Sequence, residues 1–373
     1  MKKTFRIPVE QLITGLVLAE DLRHPRTGLV LIPAGTSMKK EHLSHLKLFD
    51  SLEECLVYDP SEQEISPTVM EMKVEAGMAE IKPLPETVNE NARKVYLNTF
   101  ETVKQLFQRG KNIDEAEVQK AGKIAADISE EVLRDPYVLP QIAVLKAIDN
   151  YTFSHSIHVA IFATTLAKFL DYSPQQLKEI SLAGLLHDIG KLDIPREIVE
   201  KPGPLTDEEF KIMKQHAWYG YQRLKKVKNI SGDIVAAVSQ HHEKQDGTGY
   251  YQQLKGEKIH PWASILATAD IFDALTTDRV YRKAILPHEG AEIIMGSSSI
   301  KHLDHQYATV FARKIPIYPL GTRVMLSTGE KGRVVALHSG APLRPVVEVE
   351  GGSENKTIDL SANNTILITS FVK

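Results

Sequence analysis

Between Glu86 and about Ile315, apolar residues recur at intervals of three and four, a period that only an amphipathic α-helix gathers onto one face. That stretch commits most of the chain to a bundle of short helices. Two helix starts are written into it. Ser173, followed by Pro174 and Gln176, has the form of a capping box with proline at the first helical position, and Thr206 with Glu209 repeats the device ahead of Phe210 and Met213.

Both ends of the chain break the period. Residues 1 to about 60 alternate short β-like pieces with turns: Leu16 to Leu18, a Pro25 to Gly28 turn, and Leu29 to Ile32 closed by Pro33 and Gly35. One helix is expected there, over about Lys40 to Phe49. Pro60, Pro67, Pro83 and Pro85 in an acidic stretch predict a surface connector. After Pro316, β-like runs at Arg323–Leu326, Arg333–Leu337, Val346–Val349 and Thr365–Thr369 alternate with glycine, proline and asparagine turns. The expected layout is multidomain and mainly α. It has a small α+β N-terminal domain (1–60), a linker (61–85), a helical bundle core (86–315, with lead-in helices over 86–150) and a small β-rich C-terminal tail (316–373).

Composition narrows what such a chain does. Its 373 residues suit two or three folded units, and 42% hydrophobic residues supply a sizeable core and exclude global disorder. With 45 Lys and Arg against 48 Asp and Glu, the net charge of −3 removes the broad basic field needed to bind a nucleic-acid polymer. The single cysteine, Cys55, excludes an internal disulfide and a thiolate metal site, and fits a reducing compartment. No apolar stretch follows Met1-Lys2-Lys3, and no uncharged run reaches the roughly 18 residues that a membrane span requires. A cytoplasmic location is expected.

Histidine carries the chemical signal. Half of the 14 histidines fall between His155 and His260, in less than a third of the chain. His187 and Asp188 end the apolar helical run Ser181–Leu186, with Gly190 as the expected helix stop. An ionised aspartate buried beside an imidazole is costly unless a partner neutralises it, and a metal ion does so while using the imidazole lone pair. Ile234, Val238, His241 and His242 share one helix face, and Leu266, Ala267, Asp270 and Ala274 share another. His155 lies in a stripe with Val159, Phe162 and Leu166, and His216 follows Met213 by three residues. Any one such residue is more often satisfied by a neighbouring hydrogen bond, the reading kept for His158, His260, His302 and His305. Together, imidazole and carboxylate without thiolate form the ligand mix of a hydrolytic two-metal centre.

These residues resemble a known family. His187-Asp188-Ile189-Gly190-Lys191, followed by Ile194-Pro195, is similar to the signature of the HD phosphohydrolase superfamily. His241-His242-Glu243 leading into Asp246-Gly247-Thr248-Gly249-Tyr250 resembles its HD-GYP subgroup, as do the block Ala269 to Thr276 and Asp278-Arg279-Val280-Tyr281-Arg282. The first 60 or so residues are similar to a small accessory domain found ahead of HD-GYP units. The resemblance implies an HD-type helical core that hydrolyses cyclic di-GMP to linear pGpG or onward to GMP, using iron or manganese. It implies His155, His187, Asp188, His216, His241, His242 and Asp270 as ligands, with Asp188 bridging two ions. Tyr251 stands where the family motif has proline, which alters substrate or partner contacts at this loop. Tyr151 stands where members binding a third metal carry glutamate, so two divalent ions are expected.

Metal-assisted attack by water needs no serine or cysteine nucleophile. The resemblance gives Asp188 and Lys191 catalytic roles, Lys191 contacting the scissile phosphate. Arg279 and Arg282, flanking Tyr281, suit a second phosphate, with an ordinary solvated face as the alternative. Asp246, Gly249 and Tyr250 belong to a loop read either as substrate-binding or as simple chain reversal. Gly247-Thr248-Gly249 is no dinucleotide fingerprint, because it follows a helix rather than a strand. Two other functions stay open: a non-catalytic cyclic dinucleotide sensor, and a hydrolase of another cyclic dinucleotide or nucleotide. The reading is compatible with a homodimer and with a protein partner at the GYP-like loop or the N-terminal domain.

Overall fold

The computed structural model describes residues 4–8, 17–20, 22–23, 30–32, 34, 36, 38, 54–58, 90–108, 115–144, 151–201, 203, 205–277, 284–338, 341–351, 356–363 and 365–372. Near the N-terminus, β1 (Thr4–Pro8) pairs antiparallel with β4 (Glu54–Tyr58), and β2 (Leu22–Arg23) with β3 (Val30–Ile32). Leu18 bridges Val57, and Cys55 is buried in β4. The Lys40–Phe49 helix, the Pro25–Gly28 turn and the 61–85 connector lie outside the described residues.

The helical core begins with α1 (Glu90–Gln108) and α2 (Glu115–Arg134), followed by the short α3 (Val138–Val144). In α1 the buried residues Ala92, Tyr96, Phe100, Val103 and Phe107 repeat at three and four, so one stripe faces inward. Two helices lie at the centre, α4 (Tyr151–Phe169) and α10 (Pro261–Thr276), and pack against each other. Residues 153–167 of α4 are all buried, and so is α10 from Trp262 onward except Ile271. Any polar side chain on these two helices must therefore find its partner inside the protein.

Around them run α5 (Pro174–Leu186), α6 (Arg196–Val199), α7 (Asp207–Met213), α8 (His216–Leu224), α9 (Gly232–Gln240), α11 (Pro287–Ser299) and α12 (His305–Lys314). Both expected capping boxes form. Ser173 N donates to Gln176 Oε1 at 3.0 Å and Gln176 N to Ser173 Oγ at 3.4 Å, while Thr206 N donates to Glu209 Oε2 at 2.7 Å and Glu209 N to Thr206 Oγ1 at 3.3 Å. Each box satisfies amides that a first helical turn leaves without partners.

The end of α5 departs from expectation. The helix stops at Leu186 with His187 as its C-cap, and a 3-10 turn, Ile189–Asp193, follows. Gly190 is not a left-handed stop. A Cβ there would lie 1.9 Å from the His216 carbonyl oxygen and 2.4 Å from Gly220 N, so the residue is small because α8 crosses it in backbone contact. Arg223 of α8 reinforces the crossing with a two-pronged bond to Asp193, one arm at 2.9 Å.

The C-terminal part forms a five-stranded antiparallel sheet in the order β8-β7-β6-β5-β9. Its strands are β5 (Arg323–Leu326), β6 (Lys331–Ala336), β7 (Val346–Val349), β8 (Thr357–Asp359) and β9 (Ile368–Phe371). Two strands have the expected bounds, β6 begins two residues earlier and β9 three later. β8 was not expected, because three residues give no alternation to read. Val324, Leu326, Val334, Val347 and Ile358 join Ile315, Ile317 and Tyr318 in one core with the helices. Leu320 N also donates to Gln141 Oε1 of α3 at 3.1 Å. Among the described residues, no helix is long and apolar enough to cross a membrane.

Gly190→Ala should force the 3-10 turn away from α8. The expected cost is about 1–3 kcal/mol, as for other overpacked sites, read as a lower melting temperature in thermal denaturation. An unchanged melting temperature would contradict the backbone contact.

Candidate metal centre

Seven polar side chains reach one buried point from five places in the helical core. They are His155 on α4, His187 and Asp188 beyond α5, His216 at the start of α8, His241 and His242 beyond α9, and Asp270 on α10. Asp188 lies at the centre. Its Oδ1 is 3.5 Å from His216 Nε2, and its Oδ2 is 3.3 Å from His187 Nε2 and 3.8 Å from His155 Nε2. Donor atoms of Asp188, His216, His241 and His242 lie within 4.8 Å of one another, as do those of His155, His187 and Asp188, so the carboxylate belongs to both groups. Asp270 adds an oxygen 3.2 Å from His155 Nε2.

Local structure aims the rings. Helices leave the carbonyls of their last turn without amide partners, and three histidines take them. His187 Nδ1 donates to Gly184 O at 2.8 Å, His216 Nδ1 to Met213 O at 2.8 Å, and His241 Nδ1 to Val238 O at 2.7 Å. Each bond places the proton on Nδ1 and turns the Nε2 lone pair toward Asp188. The helical spacing assigned to His241 and His242 ends one residue early, since α9 stops at Gln240 and the two rings lie in the turn beyond it.

The charges suit a cation. Burial opposes ionisation of Asp188, yet Lys191 and then His187 hold its carboxyl well below the usual range. Asp270 is depressed in the same way, against its burial, by the hydrogen bond from His155. Burial, with help from neighbouring cations, lowers His216 to about 4, and burial with the nearby rings lowers His241 to about 3. His242 is lowered well below its ordinary value for the same reasons. These rings are neutral near pH 7, the state that ligates metal. Two atoms test the fit directly: His187 Nε2 and Asp188 Oδ1 are buried without a hydrogen-bond partner. Polar atoms in that condition need an occupant, and a carboxylate among imidazoles calls for a divalent cation.

The remaining candidates divide. Lys191 is not a surface ion pair, because its Nζ lies 2.6 Å from Asp188 Oδ2 with only 11% of its side chain exposed. Tyr250 stacks on His242 at 4.7 Å between ring centres and meets His216 edge-on, forming a wall of the cluster. Asp246 Oδ1 accepts from Thr248 N and Oγ1, which shapes its own loop. A Cβ on Gly249 would fall 2.4 Å from the Glu243 Cα, so that glycine permits the loop to close over His242. Arg279 and Arg282 lie outside the described residues. Of the four histidines assigned to ordinary hydrogen bonds, His158 bonds Tyr96 and Asp273, His260 bonds Trp262 N and His305 bonds Ser298, while His302 Nε2 lies 3.6 Å from Asp246 Oδ2.

Sequence reasoning gave no role to Glu243 or Asp273. Glu243 accepts the amides of Gln252, Gln253 and Leu254 at 2.6–3.0 Å and so holds the loop that carries Tyr250. Asp273 accepts from His155 Nδ1 at 2.8 Å. Its spacing of three from Asp270 on a buried helix was the available signal.

Comparison with known proteins agrees with this geometry. Residues 141–307 match the HD domain family, and residues 323–373 match a KOW domain associated with HD domains. The chain is an HD-domain protein. This HD-domain protein is 37% identical over 248 residues to a cyclic di-GMP phosphodiesterase of Pseudomonas aeruginosa, covering 66% of this chain and 58% of the relative. It is 35% identical over 192 residues to a cyclic di-GMP phosphodiesterase of Vibrio cholerae, covering 48% and 39%. It is 37% identical over 175 residues to the 3'3'-cGAMP-specific phosphodiesterase 1 of that organism, covering 47% and 40%. The chain therefore spans less than three fifths of the length of each of these relatives.

A pH dependence follows from His155. Burial favours its neutral form, but hydrogen bonds to Asp270 and Asp273 outweigh that and raise it to about 9. A cation taking its Nε2 lone pair must displace that proton. Mn(II) affinity should therefore fall as pH falls below about 9, by about tenfold per unit for one displaced proton. Calorimetric titration at several pH values between neutrality and that point checks this, and an affinity independent of pH would contradict it.

Proposed function

We propose that this HD-domain protein is a metal-dependent phosphodiesterase that hydrolyses cyclic di-GMP to pGpG, to GMP, or to both, and so terminates a bacterial second-messenger signal. The observation that carries the reading is one buried carboxylate, Asp188, shared by two groups of histidines whose donor atoms include the unpartnered His187 Nε2. His155, His187, Asp188, His216, His241, His242 and Asp270 hold two divalent ions, iron or manganese. When bound, such a pair supplies positive charge to a phosphodiester and lowers the pKa of water at the site.

The chain's own residues do the rest. Lys191, a compact cation beside Asp188, meets a non-bridging oxygen of the scissile phosphate. Asp188 keeps that ammonium in place. Tyr250 covers one side of the cluster and excludes bulk water from it, while Asp246 and Gly249 shape the loop that borders the substrate. Arg279 and Arg282 are assigned to the second phosphate on their chemistry alone, since a guanidinium fork suits a phosphate. The lone cysteine lies in β4 of the N-terminal sheet, consistent with chemistry that uses no thiol nucleophile. Residues 86–315 form the catalytic unit of a cytoplasmic protein, with 1–60 as an accessory domain, 61–85 as a linker and 316–373 as a small β-rich C-terminal unit packed on the helices. A homodimer and a partner at the Tyr250-Tyr251 loop or the N-terminal domain fit the same scheme.

A second substrate, 3'3'-cGAMP, is supported by the relative specific for it. Turnover of cyclic di-GMP, 3'3'-cGAMP and mononucleotides under anaerobic Fe(II) or Mn(II) separates these readings. Reaction with mononucleotides alone would overturn the cyclic dinucleotide assignment, and binding of cyclic di-GMP without product would make the protein a sensor. Asp188→Ala should cost at least about 100-fold in turnover, the upper end for residues that merely support a metal ligand, with the fold retained by circular dichroism. Lys191→Ala should lower kcat/KM by about 10- to 100-fold, the worth of a charge-assisted hydrogen bond.

A further inference from the structure

His155 and His158 lie one helical turn apart on α4 and converge on the same carboxylate of α10. Asp273 Oδ2 is 2.8 Å from His155 Nδ1, and its Oδ1 is 2.9 Å from His158 Nδ1. The other nitrogen of His158, Nε2, is 2.8 Å from the hydroxyl of Tyr96 on α1. Tyr96, His158 and Asp273 are at most 1% exposed. We propose that Tyr96, His158 and Asp273 form a buried hydrogen-bonded chain that orients His155 and sets the affinity of the ion it holds, which makes α1 a working part of the metal centre. The proposal rests on the two-metal reading above.

The chain has one polarity. An ionised carboxylate only accepts, so both Nδ1 atoms donate to Asp273. A neutral His158 then offers Nε2 as an acceptor, and the Tyr96 hydroxyl donates to it. Burial, reinforced by the negative charge of Asp273, keeps that phenol protonated. With its Nδ1 proton pinned to Asp273, His155 turns Nε2 toward Asp188 and Asp270 and becomes a more basic ligand. Thr277 Oγ1 gives Asp273 a further donor at 3.3 Å.

Two contrasts sharpen the assignment. His187, His216 and His241 are oriented by backbone carbonyls, whereas the support of His155 is built from side chains. Tyr96 also precedes residues 141–307, the part of the chain that matches the HD domain family. Its helix is held on α4 independently of the hydroxyl, through Phe100 and Phe107 packed on Phe153. Removing only the Tyr96 oxygen therefore leaves the packing of α1 in place.

The test is Mn(II) titration of the metal-stripped full chain. Tyr96→Phe should weaken the site containing His155 by about tenfold, the low end for loss of a ligand's supporting hydrogen bond, while leaving the His216, His241 and His242 site unchanged. Asp273→Asn should weaken the same site by about 100-fold. If Asp273→Asn fails to fold, Tyr96→Phe decides alone. A Tyr96→Phe protein whose metal-free form melts earlier but binds both ions as the wild type does would overturn the proposal, reducing the hydroxyl to a structural role. A wild type that takes up no Mn(II) would overturn both the proposal and the metal reading on which it rests.

Discussion

One buried carboxylate sets the terms for the helical core. Asp188 is 1% exposed, and taking an isolated anion out of water costs several kcal/mol after the protein relaxes. The Lys191 ammonium offsets part of that cost from one side, leaving Oδ1 facing His216 without a hydrogen bond. A fold that keeps such a residue must bring enough donors and cations to it. The helices that converge on Asp188 all do so through their ends or their fully buried faces.

The means is economical in sequence terms. Helix ends carry unpaired carbonyls, and a histidine placed three residues after one of them fixes its own tautomer. Three histidines use this local device, and a backbone contact at Gly190 brings the start of α8 against the turn that carries Asp188. His155 lies in the second turn of α4 rather than beyond a helix's C-terminal end, and it is supported by Asp273 of the neighbouring helix instead of a backbone carbonyl. Position along the helix thus decides whether backbone or side chain aims the ring.

Local features were legible in the sequence and tertiary ones were not. The capping boxes at Ser173 and Thr206 involve residues three apart, and both form as expected. His187, Asp188, His241 and Asp270 were found because a polar residue on an apolar stripe has few explanations. Gly190 was misread as a helix stop, because the atoms that require it to be small belong to a helix some 26 residues further on, beyond any periodic pattern. The partnership of Asp273 with His155 spans 118 residues and exists only once α4 and α10 have packed. Strand β8 escaped notice because so short an edge strand carries no alternation.

Elemental analysis of anaerobically prepared protein tests the central claim most directly. The account predicts two transition-metal equivalents per chain in the wild type, removed together when Asp188 is replaced by alanine because both groups of histidines share it. A wild type that holds no metal after supplementation, or an alanine variant that keeps both equivalents, would contradict it.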